Sequence, residues 1–415
     1  MANWQGFYKL SWQERLQRTI ENKNLTADQA ALITQHYDMV GEQQVENYLY
    51  NFGVPTGLLL ELPVDGRLVT VPMSTEEPSV IAAANNGARM MRAGAGVQTV
   101  IESRLVRGQI ILDNVADVVA LQTYVETHLP QLLQVANDAH PSMAKRGGGA
   151  KALTVEVLDA QTAIVNVLVD PKAAMGANVV NTMSEAIASV LRQAGYEVLM
   201  AILSNFATES LVKAKVAVPV TALATKQGMS GADVAAKIAA ASRIETLSPY
   251  RAVTSNKGML NGIEAAVLAS GNDTRAVNAA LHAYAAQGGQ YHGLTRWTVQ
   301  GDELLGETTL PLILGVVGGS IGIVPAVKLN HALMDNPTVN ELTSTIAAVG
   351  LAQNLAAIRA LVSTGIQAGH MALQAKSLAL QVGAMPAEVP ALTAALQQAG
   401  KFNEATAREL LAKLR

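Results

Sequence analysis

Three polar clusters and two glycine-rich turns interrupt an otherwise apolar chain, and chemistry would have to reside in them. Glu76-Glu77-Pro78-Ser79 opens an Ala-rich helical run, a place where carboxylates ordinarily act as cap and dipole partners. Arg251-Ala-Val-Thr-Ser-Asn-Lys257-Gly-Met-Leu-Asn261 gathers a guanidinium, an ammonium and two amides. Gly271-Asn272-Asp273-Thr274-Arg275 breaks an apolar helical run. Both of these suit ordinary loop chemistry as well as a site. Lys145-Arg146-Gly147-Gly148-Gly149 sets two cations beside exposed backbone amides. Ala173-Ala-Met175-Gly176-Ala-Asn178 lies between a strand and a helix start, where small side chains let an anion reach free N–H groups. Each alone reads as a turn; together, in one small unit, they suit the pyrophosphate of a dinucleotide or coenzyme. His370, in Thr364-Gly-Ile-Gln-Ala-Gly-His-Met, is by default an ordinary helix histidine.

Composition removes several alternatives. The absence of cysteine excludes disulfides, thiolate catalysis and Cys-ligated metals. The seven histidines are scattered and none pairs with another at helical spacing, so no metal site is expected. There is no G-x-G-x-x-G after a strand, no P-loop, no H-E-x-x-H and no G-x-S-x-G. Thirty basic against 33 acidic residues, a net charge of −3, give no general pull toward nucleic acid or anionic membrane. No signal peptide is visible at the N-terminus. Thr308 to Val327 is uncharged for 20 residues, but its two prolines and four glycines read as a buried strand and a glycine-rich turn rather than a membrane span. The protein is expected to be soluble.

The elements that must position these clusters follow from pattern. Ser11 with Glu14, and Thr26 with its following Gln29, open two helices within 11–49. Asp65-Gly66 between apolar runs marks a hairpin. From Gln109 to Leu203 the order is β-α-β-β-α-β, with strands near 109–112, 153–158, 163–169 and 198–203 and helices near 115–135 and 175–194. Ile346 to Ile358 is uncharged and suits a helix buried on all sides. Pro386 onward reads as two short amphipathic helices around Gly400.

Seven collinear segments (75–82, 173–183, 203–205, 249–262, 269–277, 350–359 and 365–372) resemble class II hydroxymethylglutaryl-coenzyme A reductase. That resemblance implies an α+β fold. A large mixed helical and stranded substrate domain, 1–103 with 205–365, would carry an inserted ferredoxin-like (βαββαβ) cofactor domain, 104–204, and a small helical C-terminal flap, 366–415. It also implies a homodimer with its active site at the subunit interface.

The implied reaction reduces hydroxymethylglutaryl-CoA to mevalonate and free CoA by two hydride transfers from a nicotinamide. By the same resemblance Lys257 faces the oxyanion, Glu77 gives a proton, Asp273 couples to both, and His370 protonates the departing thiolate. Arg251 would bind the substrate carboxylate, with Ser79, Asn205 and Asn261 hydrogen-bonding the same group. Lys9 is a candidate phosphate contact, though a surface lysine is the safer reading. Lys257 and Asp273 stand 16 residues apart, ~24 Å along a continuous helix. Either the helix breaks near Gly271-Asn272 or the two meet from different subunits.

The cofactor set is His140, Lys145, Arg146, Gly148, Met175, Gly176 and Asn178. His140 stands where NADH-preferring relatives carry an aspartate, no carboxylate lies between Asp138 and Glu156, and Lys145 and Arg146 are near in sequence. NADPH is therefore favoured, with NADH possible. The family's Asp is Ala173 here, which removes a polar group from the cofactor loop. Alternatives are mevalonate oxidation with NAD and CoA, a reductase of another carboxylated acyl-CoA, or an inactive coenzyme-binding module. The expected location is cytoplasmic, with neither membrane nor nucleic acid as partner.

Overall fold

The structure is a computed structural model that describes residues 4–363 and 375–415. Two capped helices begin it, α1 (Trp12–Lys23) and α2 (Ala27–Gln35), followed by α3 (Met39–Gln44). Ser11 with Glu14 and Thr26 with Gln29 both form complete capping boxes.

A six-stranded sheet then assembles from distant parts of the chain. Its strands are β1 (Thr56–Val64), β2 (Arg67–Ser74), β3 (Val97–Ile101), β8 (Leu211–Pro219), β9 (Thr295–Gln300) and β10 (Glu303–Pro311), in the order β2-β1-β3-β8-β10-β9. Asp65 and Gly66 both take positive φ, which turns the β1–β2 hairpin tightly. Against this sheet pack α4 (Pro78–Met91), α9 (Gly231–Leu247), α10 (Pro249–Ala269), α11 (Thr274–Ala285), α12 (Pro325–Leu333) and α13 (Val339–Val362). The apolar stretch 346–358 is the buried middle of α13, as its lack of any polar face requires. Glycines let its neighbours come close: a Cβ at Gly87 of α4 would collide with the Ala352 carbonyl, and one at Gly262 of α10 would lie 2.9 Å from Gln353 Cβ. These two contacts fix α4 and α10, the helices that carry the polar clusters, on one shared core helix.

Between β3 and β8 the chain builds a second, antiparallel sheet. Its strands are β4 (Val106–Leu112), β5 (Gly149–Val157), β6 (Ala163–Asp170) and β7 (Val198–Leu203), in the order β5-β6-β4-β7. Helices α5 (Val118–Thr127), α6 (Leu129–Ala139), α7 (Pro141–Lys145) and α8 (Ala177–Gln193) complete this unit. That strand order is the one a split βαβ chain forms. β5 starts at Gly149, four residues earlier than the apolar pattern marks, because Gly149 and Ala150 pair with Asp170 and Val169 of β6, while the Asn137 side chain satisfies the Ala150 N–H and C=O. The helical stretch near 115–135 divides at His128, with Pro130 in the first turn of α6.

Thr308 to Val327 runs from the end of β10 into a loop where Gly318 and Gly319 take positive φ. The described helix long and apolar enough to cross a membrane is α13, and 72% of its most apolar window is buried inside the protein. At the C-terminus α14 (Val389–Ala399) and α15 (Glu404–Leu414) close a small core with helical residues 375–381.

Candidate active site

Glu77 caps α4. Its Oε1 accepts from the Ser79 amide at 3.3 Å and the Ser79 hydroxyl at 2.9 Å, and its own amide donates to Thr75 Oγ1. The carboxylate is half-buried. Ser79 and Glu77 are therefore one hydrogen-bonded pair, which Pro78 at the first helical position pre-shapes.

The long polar stretch on α10 divides by face. Asn256 turns inward, bonding the His292 carbonyl and the Leu294 amide at 2.8 Å each, and Ser255 accepts from Asn354. Arg251 and Lys257 are exposed, and Lys257 forms no ion pair among the described residues. Lys257 and Asn261 lie one turn apart on the same side of the helix. Tyr250, 89% exposed, and the exposed Val253 and Leu268 accompany them, so α10 shows solvent an apolar as well as a cationic surface.

The helix does break before Asp273. Gly271 takes φ +72, and Asp273 caps α11, accepting from the amides of Arg275 at 2.9 Å and Ala276 at 3.1 Å and from the Arg275 guanidinium. Burial pushes the Asp273 carboxyl up, but those hydrogen bonds outweigh it, and the group ends below the ordinary aspartate value. α11 folds back along α10, since Asn278 donates to Glu264 at 2.9 Å. Lys257 lies ~18 Å along α10 from its C-terminal end, so the break alone leaves Asp273 and Lys257 apart within one protomer. Among the described residues the side chain paired with Asp273 is Arg275, not Lys257 or Glu77. Asn205 is exposed in the bend between β7 and β8, Lys9 sits in a single short turn (Phe7–Lys9) at the surface, and His370 lies outside the described residues.

Around the second sheet, α8 starts at Gly176, whose φ of +108 admits no ordinary side chain and whose helix start has no side-chain cap. Its first amides are thus unclaimed by side chains, as an anion site requires. Gly148 is equally tight: a Cβ there would lie 2.6 Å from the Asp170 carbonyl. Lys145 and Arg146 are exposed beside it, Met175 is half-buried and Asn178 exposed. His140 precedes α7 and meets Ser142 Oγ at 3.3 Å. These residues fit a dinucleotide: glycines where backbone must approach, open amides and adjacent cations.

Sequence spacing missed one acid here. Asp170 reaches this turn from β6, although no carboxylate is near it in sequence, and Lys172 pairs with it at 2.8 Å. Burial raises the Asp170 carboxyl, but the Lys172 bonds and charge bring it below the usual range. Arg104 was missed as well. Its guanidinium donates to the Lys172 and Leu314 carbonyls, so it ties the turn after β6 to the segment after β10. Burial lowers its pKa, and the Asp170 charge only partly offsets that. Glu245 on α9 is a third: 4% exposed, its Oε2 finds no hydrogen-bond partner among the described residues. Burial pushes its carboxyl up, against the Ser255 hydroxyl and the Arg251 charge. Behind α4, a cavity of about 670 Å³ is lined by Arg89, Lys226 and Arg359. Arg89 lies ~15 Å along α4 from Ser79.

Comparison with known proteins gives the family of the chain. Residues 11–375 match the family described as hydroxymethylglutaryl-coenzyme A reductase, and the chain belongs to that family. A 3-hydroxy-3-methylglutaryl-coenzyme A reductase from Archaeoglobus fulgidus is 38% identical over 417 residues, 99% of this chain and 94% of that protein. A probable reductase from Borreliella burgdorferi is 34% identical, covering 80% of this chain and 77% of its own length. Among solved structures, the reductase from Streptococcus pneumoniae superposes with a TM-score of 0.77 at 43% identity, covering both chains fully. The class II enzyme from the same organism, bound to NADPH in open conformations, gives 0.76 at 43% identity over 98% of this chain and all of that one.

Proposed function

We propose that the protein reduces hydroxymethylglutaryl-CoA to mevalonate and free CoA with NADPH. The observation that carries this reading is the uncapped start of α8, held within a short hydrogen-bonded path of the Asp273 cap. A nicotinamide cofactor bound there supplies hydride, once to the thioester carbonyl and once to the aldehyde. Gly148, Gly176 and the α8 amides with Met175 and Asn178 hold its backbone, while Lys145 and Arg146 meet a 2′-phosphate near His140.

Lys257 stabilises the oxyanion formed on the carbonyl oxygen as hydride adds to the carbon, a role in which a cation in a dry site is worth several kcal/mol (about 3–4). Glu77 delivers the proton to the reduced oxygen, with Ser79 holding its carboxylate. Asp273 faces the lysine across a subunit boundary, which the ~18 Å separation on one chain calls for. A second copy would also cover Tyr250, Val253 and Leu268, so the homodimer and the site are one proposal. Arg251 binds the substrate's free carboxylate, and Asn205 and Asn261 orient its hydroxymethylglutaryl group. His370 protonates the CoA thiolate. The cation-lined cavity at Arg89 suits the phosphates of CoA, about a pantetheine's length from Ser79. In this reading 104–204 is the cofactor domain, 366–415 the flap, and the protein works in the cytoplasm.

Loss of 340 nm absorbance with hydroxymethylglutaryl-CoA and NADPH, stoichiometric at two cofactors per CoA released, is the expected result. No oxidation with that substrate, or release of CoA without oxidation, would overturn the reading.

A further inference from the structure

We propose that Asn272 is a positioning residue that sets the Asp273 carboxylate relative to the start of α8, acting through the backbone of Gly315. The inference rests on the reading above, that Asp273 serves the substrate and the α8 start serves the cofactor.

The Asn272 carboxamide addresses one residue with both its ends. Its Oδ1 accepts from the Gly315 amide at 2.7 Å, and its Nδ2 donates to the Gly315 carbonyl at 3.0 Å. The same Nδ2 lies 3.0 Å from Ser270 Oγ. A side-chain amide paired in this way replaces a neighbouring strand, and it fixes distance and direction together.

Gly315 in turn backs onto the cofactor loop. A Cβ there would collide with the Met175 amide and lie 2.9 Å from the Ala174 carbonyl carbon. The next residues complete the seam: Val316 donates to the Ala173 carbonyl at 2.8 Å, and Val317 bridges Ala174 in parallel. The loop is therefore held by its backbone, with no contribution from the Ala173 side chain.

On the other side, the turn that presents Asp273 is pinned independently. Asn330 donates to the Ala269 carbonyl, Ser320 donates to the Gly271 carbonyl, and His331 Nε2 lies 2.9 Å from the Ser270 carbonyl. The path from Asp273 through Asn272, Gly315 and Met175 to Gly176 then contains two non-covalent junctions, both made to backbone. Hydride transfer needs its donor and its polar partners at a fixed separation, and an error of about 1 Å costs on the order of 100-fold.

The test uses the full-length enzyme and two variants, Asn272→Ala and Gly315→Ala. NADPH affinity is read without substrate from nicotinamide fluorescence, alongside thermal unfolding and steady-state kinetics. Expected for both variants are an about tenfold weaker NADPH affinity, an about tenfold lower kcat, and a KM for hydroxymethylglutaryl-CoA within twofold of the unmodified enzyme. NADPH affinity within twofold in both variants would overturn the proposal. So would an equal rise in both KM values, or failure of both variants to fold, since each points to a general structural role. The parent reading fails on a different result: unmodified enzyme that binds no NADPH or shows no turnover.

Discussion

Lys172 closes its ammonium onto Asp170, 2.8 Å from Nζ to Oδ2, beside the backbone of Gly148. In the proposed cofactor site the acid that would favour a free ribose 2′-hydroxyl is thereby neutralised, and Lys145 and Arg146 are exposed and form no ion pair among the described residues.

NADPH should accordingly be used with a catalytic efficiency about tenfold or more above that with NADH. Lys172→Ala bares the Asp170 carboxylate and should cut efficiency with NADPH about tenfold while sparing NADH. His140→Asp should move preference the same way. Steady-state comparison of the two cofactors decides it; higher efficiency with NADH in the unmodified enzyme refutes the assignment.

Lys257→Ala and Glu77→Gln should each lower kcat by roughly 10²–10³ while the protomer still folds, because Lys257 is exposed on the protomer and Glu77 keeps its cap when amidated. Near-normal turnover of Lys257→Ala would end the proposed mechanism.

His370→Gln should block conversion of the thioester yet leave most reduction of free mevaldehyde, which releases no thiol. Equal loss of both activities would assign His370 a different task.

Glu245 makes a prediction about stability. Its folded pKa is raised above the ordinary 4.5, so between those two values the folded state binds a proton that the unfolded state has released. Stability therefore falls as pH rises through that window and stays at the lower level above it. Glu245→Gln should remove this loss, raising Tm at pH 8 and leaving it nearly unchanged at pH 4. A Tm difference that does not vary with pH would contradict this origin.

Much of the fold was legible because local signals agreed with tertiary demands. The capping residues Ser11 and Thr26, the Asp65-Gly66 turn and the split βαβ order each mark their element. The polar clusters were harder to divide. Nothing in the spacing of Arg251 to Asn261 separates Asn256, which pins a loop, from Lys257, which faces solvent, because that depends on which side of α10 meets the core. Asp170 escaped notice because it arrives from a neighbouring strand, and proximity in sequence is a poor guide across an antiparallel pair. Asn272 stood inside a marked cluster, but its partner Gly315 is 43 residues away.

The placement of α13 also has a consequence for synthesis. Its apolar surface is the common wall for α4, α10 and the larger sheet, yet it begins only at Val339. Leu59 and Met73 leave the ribosome some 270 residues or more before Leu342, an interval of roughly 15 to 60 seconds at ordinary translation rates. During that time the second sheet can gather most of its own core from residues already made, while β1, β2 and α4 wait with apolar faces uncovered. Truncated chains ending before α13 should therefore aggregate and seek chaperones, and the exposed faces of β1 and α4 are where those chaperones would bind.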